Sequence, residues 1–206
     1  PTTIIHAYSF CTKNVSRYIQ RHMKCPMVNL FGSTELGFIF STSTNNPFIP
    51  YFDDLKLELL PMSSKKNIFS LIVTSIRNKY MPLIRYRSGD CVETSDNSCN
   101  PDKITRICGR EPELFQLQDK SYLSHANIDD LVSQNNPDIF LYQLHQKNKS
   151  IVFKYTTFNQ APLSTSNLAP LKSSLEEEFR FPFKLQFTNN ISPRKSGKYC
   201  WLSFNE

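Results

Sequence analysis

Pro82-Leu83-Ile84-Arg85-Tyr86-Arg87-Ser88-Gly89-Asp90 is the stretch on which the reading of this chain turns. A short strand over 83–86 leads into a Gly-Asp pair. A carboxylate placed after a glycine turn can accept both hydrogen bonds of a ribose diol, as acidic residues do in dinucleotide sites. The same residues also suit an ordinary β-turn Asp with flanking arginines kept in water. Downstream stands Arg106-Ile107-Cys108-Gly109-Arg110, in which Arg110 can offer a forked donor to sugar or phosphate oxygens, or simply end a surface strand.

Upstream, the apolar run 27–31 reads as a buried strand that ends in Phe31-Gly32-Ser33-Thr34-Glu35. Gly32 lets backbone amides approach a ligand, and the hydroxyls of Ser33 and Thr34 can donate to phosphate oxygens. Phe31 offers a face for a base. Glu35 suits Mg²⁺, which takes one or two carboxylates together with phosphate oxygens. Taken alone, this loop also fits a plain polar turn.

Around these stretches the periodicity predicts an α+β protein. Residues 14–23 read as an amphipathic helix that Asn14 can cap and Pro26 stops. Helix then buried strand is the end of an α/β sheet domain whose remaining strands lie elsewhere. From about 48 to 110, alternating Leu55, Leu57 and Leu59 and further runs at 68–75, 83–86 and 104–108 predict a small antiparallel β subdomain. Turn-forming clusters at 44–47 and 96–98 separate these runs. After residue 112 the predicted order is strand 114–117, helix 127–133, strands 139–144 and 151–155, a helix marked by Leu168, Leu171, Leu175 and Phe179, and strand 183–187. That order, β-α-β-β-α-β, is that of a split βαβ domain.

Composition narrows the function classes. The net charge of +6 divides into +5 over 1–112 (fourteen Lys/Arg, nine Asp/Glu) and +1 over 113–206 (ten against nine). No basic stripe exceeds a pair such as Lys65-Lys66, so the pI near 9 gives a nucleic-acid-binding reading little support. The six cysteines have no C-x-x-C spacing and fit reduced thiols rather than a zinc site. No apolar run is long enough for a bilayer span, and a soluble, cytoplasmic protein is expected. Pro at position 1 suggests a processed or excised piece.

Order and spacing carry more than any one motif. Gly-Ser-Thr-Glu after a strand, Tyr-Arg-Ser-Gly-Asp about fifty residues on and Gly-Arg about twenty further resemble the adenylate-forming superfamily of acyl-CoA synthetases, luciferases and adenylation domains. The wording of 82–90 is most similar to the phenylacetate–coenzyme A ligase branch. The resemblance implies an ATP-dependent ligase that forms acyl-AMP and pyrophosphate, then passes the acyl group to coenzyme A or a carrier thiol. It implies Phe31 against adenine, with Gly32 and Ser33 in the same nucleotide loop. It also implies Thr34 at the α-phosphate or acyl carboxylate, Glu35 on Mg²⁺, and Asp90 and Arg110 at the ribose. Ser192-Pro193-Arg194-Lys195-Ser196-Gly197-Lys198 resembles the family's ending, in which Lys198 reaches the reacting carboxylate and α-phosphate as a mobile point charge. By the same resemblance, 1–110 end the large AMP-binding domain and 111–206 form a small mobile domain, with a hinge after Arg110.

The chain also departs from the pattern. The Gly- and Ser/Thr-rich phosphate loop and the acid-binding pocket are absent, so the resemblance covers only the back half of such an enzyme, expected to be inactive alone. Its partners are then a small carboxylic acid, coenzyme A or a carrier protein, and the missing N-terminal region, with no nucleic acid and no membrane. Pro112 stands where the family has an acidic or Lys hinge residue, and 116–125 contain no glycine. These departures keep open a second reading, a degenerate non-catalytic nucleotide-binding or protein-interaction module.

Overall fold

The computed structural model describes residues 2–43, 46–51, 53–62, 68–76, 78–147, 150–193, 195, 197 and 199–204. The backbone packs into two compact units, one of residues 1–10 and 19–126, the other of 11–18 and 127–206.

In the first unit, β1 (Ile4–Ala7) and β2 (Met27–Ser33) run parallel, with Ile4 opposite Met27, and α1 (Lys13–Met23) lies between them in the chain. A parallel pair needs such a crossover, so this is a βαβ unit. β1 is an addition to the expected strands: four residues are too short for alternation to stand out. β3 (Gly37–Ser43) and β4 (Asn46–Pro50), also not among the expected strands, add antiparallel ladders, giving the order β1-β2-β3-β4; Asn46 and Pro47, expected in a turn, open β4 instead.

The β subdomain is an antiparallel sheet, β5 (Leu55–Pro61), β6 (Ile68–Ser75), β7 (Tyr86–Thr94) and β8 (Ile104–Arg110), in chain order. Its period-two pattern works as the sequence implies. Leu55, Leu57 and Leu59 are buried with Leu71, Val73 and Val92, and Ile39 and Phe40 of β3 share that cluster. Ile68, Cys91, Cys108 and Leu114 form a second buried cluster. β7 begins at Tyr86 rather than at residue 83, because Arg85 takes a left-handed φ of 49° and ends any extended run before it. A short hairpin of β9 (Phe115–Gln116) and β10 (Tyr122–Leu123) follows.

The second unit contains the rest of α2 (His125–Asn135), then β11 (Ile139–Lys147), β12 (Ser150–Thr157), α3 (Thr165–Phe179), β13 (Phe183–Phe187) and β14 (Leu202–Phe204). From β9 onward the chain order is β-β-α-β-β-α-β-β, which contains the expected β-α-β-β-α-β with one extra strand at each end. The leading strand pairs in its own hairpin, and β14, parallel to β11, completes the sheet β13-β12-β11-β14. Ser164 caps α3, and its end is a left-handed Arg180 two residues before Pro182. Leu171, Leu175 and Phe179 of α3 are buried, and the Phe179 and Phe183 rings meet edge-on at 5.0 Å.

The cap of α1 is not Asn14. Thr12 Oγ1 accepts from the Val15 N–H at 3.3 Å, while Asn14 is buried and donates from Nδ2 to the Asn136 and Ile139 carbonyls, each at 2.9 Å. Those carbonyls need a donor, and Asn supplies two N–H groups from one side chain.

Candidate functional site

Gly32 and Ser33 close the β2–β3 hairpin, opposite Phe38 and Gly37, with 34–36 as its tip. A Cβ on Gly32 would overlap the Gly37 carbonyl, so its want of a side chain serves the hairpin itself. Ser33 Oγ accepts from the Leu36 N–H at 3.3 Å. Thr34 and Glu35 are exposed at the tip, and Phe31 is half-buried against Phe40, ring centroids 6.1 Å apart. The Glu35 carboxyl is held below the usual carboxylate range. The Ser33 hydroxyl contributes most and its own backbone N–H next, with smaller contributions from the Tyr86 hydroxyl and the Arg110 charge.

Asp90 does not stand in a turn, as its glycine neighbour suggested; it lies in a bulge inside β7. Ser70 pairs with Cys91 and Ile72 with Arg87, so residues 88–90 face Leu71 alone. Gly89 permits the distortion with φ +76°, Ser88 Oγ donates to the Leu71 carbonyl at 3.1 Å, and the Asp90 N–H donates to Ser88 Oγ at 3.1 Å. The bulge aims Asp90 at Arg110, its register partner on β8. Arg110 Nε stands 3.4 Å from Asp90 Oδ1; the Asp90 side chain is 9% exposed and that of Arg110 55%. The missing Cβ of Gly89 leaves room for the guanidinium, since one would stand 3.1 Å from Arg110 Nη2.

A second charge pair adjoins the first. Arg87 donates from Nε to Glu111 Oε1 at 2.9 Å and meets Oε2 from Nη2 at 2.7 Å, a two-pronged grip. Ser70 Oγ donates to the same Oε1 at 2.5 Å. Burial pushes the Glu111 carboxyl up, but the bonds from Arg87 and Ser70 and the charges of Arg87 and Arg110 outweigh it, leaving the group below its ordinary value. The same setting, with burial foremost, pushes the Cys91 thiol far up, which disfavours its thiolate form.

Of the residues expected at a site, Ser33, Glu35, Asp90 and Arg110 fall in one electrostatic cluster of the first unit, with Thr34 beside Glu35 and Phe31 and Gly32 on the strand below. Lys198 lies outside the described residues. Tyr86, Arg87, Ser70 and Glu111 join the cluster unanticipated; Arg87 lies within one quoted motif and Glu111 directly follows another, but only strand pairing sets one against the other. Among the described residues no three His, Cys, Asp or Glu side chains gather as a metal cage, and no helix is long and apolar enough to cross a membrane. One exposed, readily ionised carboxylate such as Glu35 still fits Mg²⁺ held mainly by nucleotide phosphates.

No family model matches the chain. It is 26% identical over 196 residues to Protein CapK of Staphylococcus aureus, covering 87% of this chain and 41% of CapK. Among solved structures it resembles 2-hydroxyisobutyryl-CoA ligase in complex with 2-HIB-AMP, with TM-score 0.72 and 13% identity over 100% of this chain and 48% of the ligase. It also resembles the o-succinylbenzoate coenzyme A synthetase of Bacillus subtilis in complex with ATP and magnesium, with TM-score 0.65 and 12% identity over 97% of this chain and 45% of the synthetase. The fold is thus one found in adenylate-forming CoA ligases. The chain spans less than half the length of these proteins.

Proposed function

We propose that this chain is the C-terminal part of an ATP-dependent carboxylate ligase, similar to the phenylacetate–coenzyme A ligase branch, working in the cytoplasm. Residues 1–110 would end its large AMP-binding domain and 111–206 would form its small mobile domain. The observation that supports this is that Asp90 stands 3.4 Å from the Arg110 guanidinium, whose charge also reaches Glu35, in a fold shared with enzymes solved with acyl-AMP or ATP.

In this reading a substrate carboxylate oxygen attacks the α-phosphorus of ATP, and pyrophosphate leaves. A thiol of coenzyme A or a carrier protein then attacks the acyl carbonyl, and AMP leaves. Asp90, fixed by the bulge and shielded from water, accepts hydrogen bonds from the ribose hydroxyls, and Arg110 donates to the same sugar. Phe31 lines the base, while Gly32, Ser33 and Thr34 lie along the phosphates. Glu35, ionised well below neutral pH, would hold Mg²⁺, which neutralises developing phosphate charge. Lys198 places a cation at the reacting carboxylate. An upstream region supplies the phosphate loop and the acid pocket, and its strands continue the sheet beyond β1, which stands at an edge with Ile5 63% exposed.

The test joins this chain to its upstream region and measures acid-dependent pyrophosphate release. Asp90→Ala and Lys198→Ala are each expected to lower the rate about 100-fold or more. Parent-like rates in both variants would remove the assigned roles.

A further inference from the structure

The link between Arg87 and Glu111 joins two motifs that the chain keeps apart, Tyr-Arg-Ser-Gly-Asp on β7 and Gly-Arg at the end of β8. Glu111 directly follows Arg110, and its side chain is 16% exposed against 60% for Arg87. It receives both prongs of the Arg87 guanidinium and the buried Ser70 hydroxyl. Its backbone enters a 3₁₀ turn, Glu111–Glu113, whose N-cap is Arg110 and whose Pro112 has φ locked by its ring. The main chain after Arg110 is therefore tied twice, once by the Glu111 side chain and once by the proline.

Arg110 itself has little to hold it. Its side chain is half exposed, and its approach to Asp90, at 3.4 Å through Nε, is long for a charge-assisted hydrogen bond. A free Arg side chain forfeits considerable rotamer freedom when it docks on a ligand, so a scaffold that aims it beforehand raises affinity. The Glu111 carboxylate and the Arg110 guanidinium feel each other's charge, and Gly89 leaves the space in which the guanidinium rests.

We propose that Glu111 is a positioning residue: clamped by Arg87 and Ser70, it fixes the chain next to Arg110 and so holds the Arg110–Asp90 pair in the geometry that receives the sugar of a nucleotide. The inference rests on the reading of Asp90 and Arg110 as ribose ligands. Glu111 touches no substrate; it acts through Arg110.

The test compares adenosine 5′-monophosphate with its 2′,3′-dideoxy analogue as probes, by calorimetric titration of the 206-residue chain. The parent is expected to prefer the probe carrying both hydroxyls. Glu111→Gln, which keeps the shape and removes the charge, is expected to weaken that probe about tenfold and leave the dideoxy probe unchanged. Ser70→Ala is expected to act in the same sense more weakly, and it carries the comparison if Glu111→Gln does not fold. Equal losses for both probes would make the clamp a matter of fold alone and overturn the positioning role. Unchanged affinities would overturn it too, while leaving the ribose site standing. A parent without sugar preference, or without binding, would overturn the ribose reading and this inference with it.

Discussion

Gly32 and Ser33 show how much of the site depends on single atoms. Any side chain at Gly32 would meet backbone, which cannot rotate away as a side-chain neighbour could. Gly32→Ala is expected to lower stability by about 1–3 kcal/mol, read as a lower urea midpoint at unchanged slope. Ser33 matters through its hydroxyl, the leading influence that favours ionised Glu35. In Ser33→Ala the Glu35 carboxyl is expected to titrate nearer its ordinary value, followed by NMR of its side-chain carbon; an unchanged titration would assign the effect elsewhere. The Phe-Gly-Ser-Thr-Glu string was legible as a candidate nucleotide loop. Its partners were not, because Tyr86 and Arg110 approach Glu35 only through the packing of two sheets.

At the scale of the element, the start of α1 illustrates a local rule displaced by tertiary demand. Asn is a good cap, yet Asn14 faces two carbonyls of the 136–139 turn, and Thr12 caps instead. Asn14→Ala would leave both carbonyls without that donor and is expected to cost about 2–3 kcal/mol in thermal unfolding. The next residue of the network is titratable. Asp129 accepts from the Lys13 N–H at 2.8 Å and from the Tyr142 hydroxyl at 3.3 Å, and burial pushes its carboxyl up from 3.8 to about 6. Between those values the folded state binds the proton more tightly than the unfolded chain. The stabilisation is therefore complete below pH 3.8 and lost as pH rises through 6. Asp129→Asn should thus be more stable relative to the parent at pH 7 than at pH 4, by up to about 3 kcal/mol. A difference in melting temperature that does not vary with pH would exclude this titration.

For the molecule as a whole, the 206-residue chain is expected to release no pyrophosphate by itself and to do so when joined to the upstream region proposed above; turnover by the isolated chain would refute that division of labour. The helices, the antiparallel strands 55–61 and 68–75, and the β-α-β-β-α-β order could be read from the chain. Each rests on periodicity within one element, and burial of one face enforces that locally. β1 and β14 could not, since strands of four and three residues hold their place through ladders to distant partners. The residue types of the proposed nucleotide site and their order are already legible in the chain. The bulge that holds Asp90, the placing of Arg110 across the glycine beside it and the grip on Glu111 from two other strands arise only on folding. Strand register and side-chain direction are settled by pairing between residues far apart in the chain, and no local pattern encodes them.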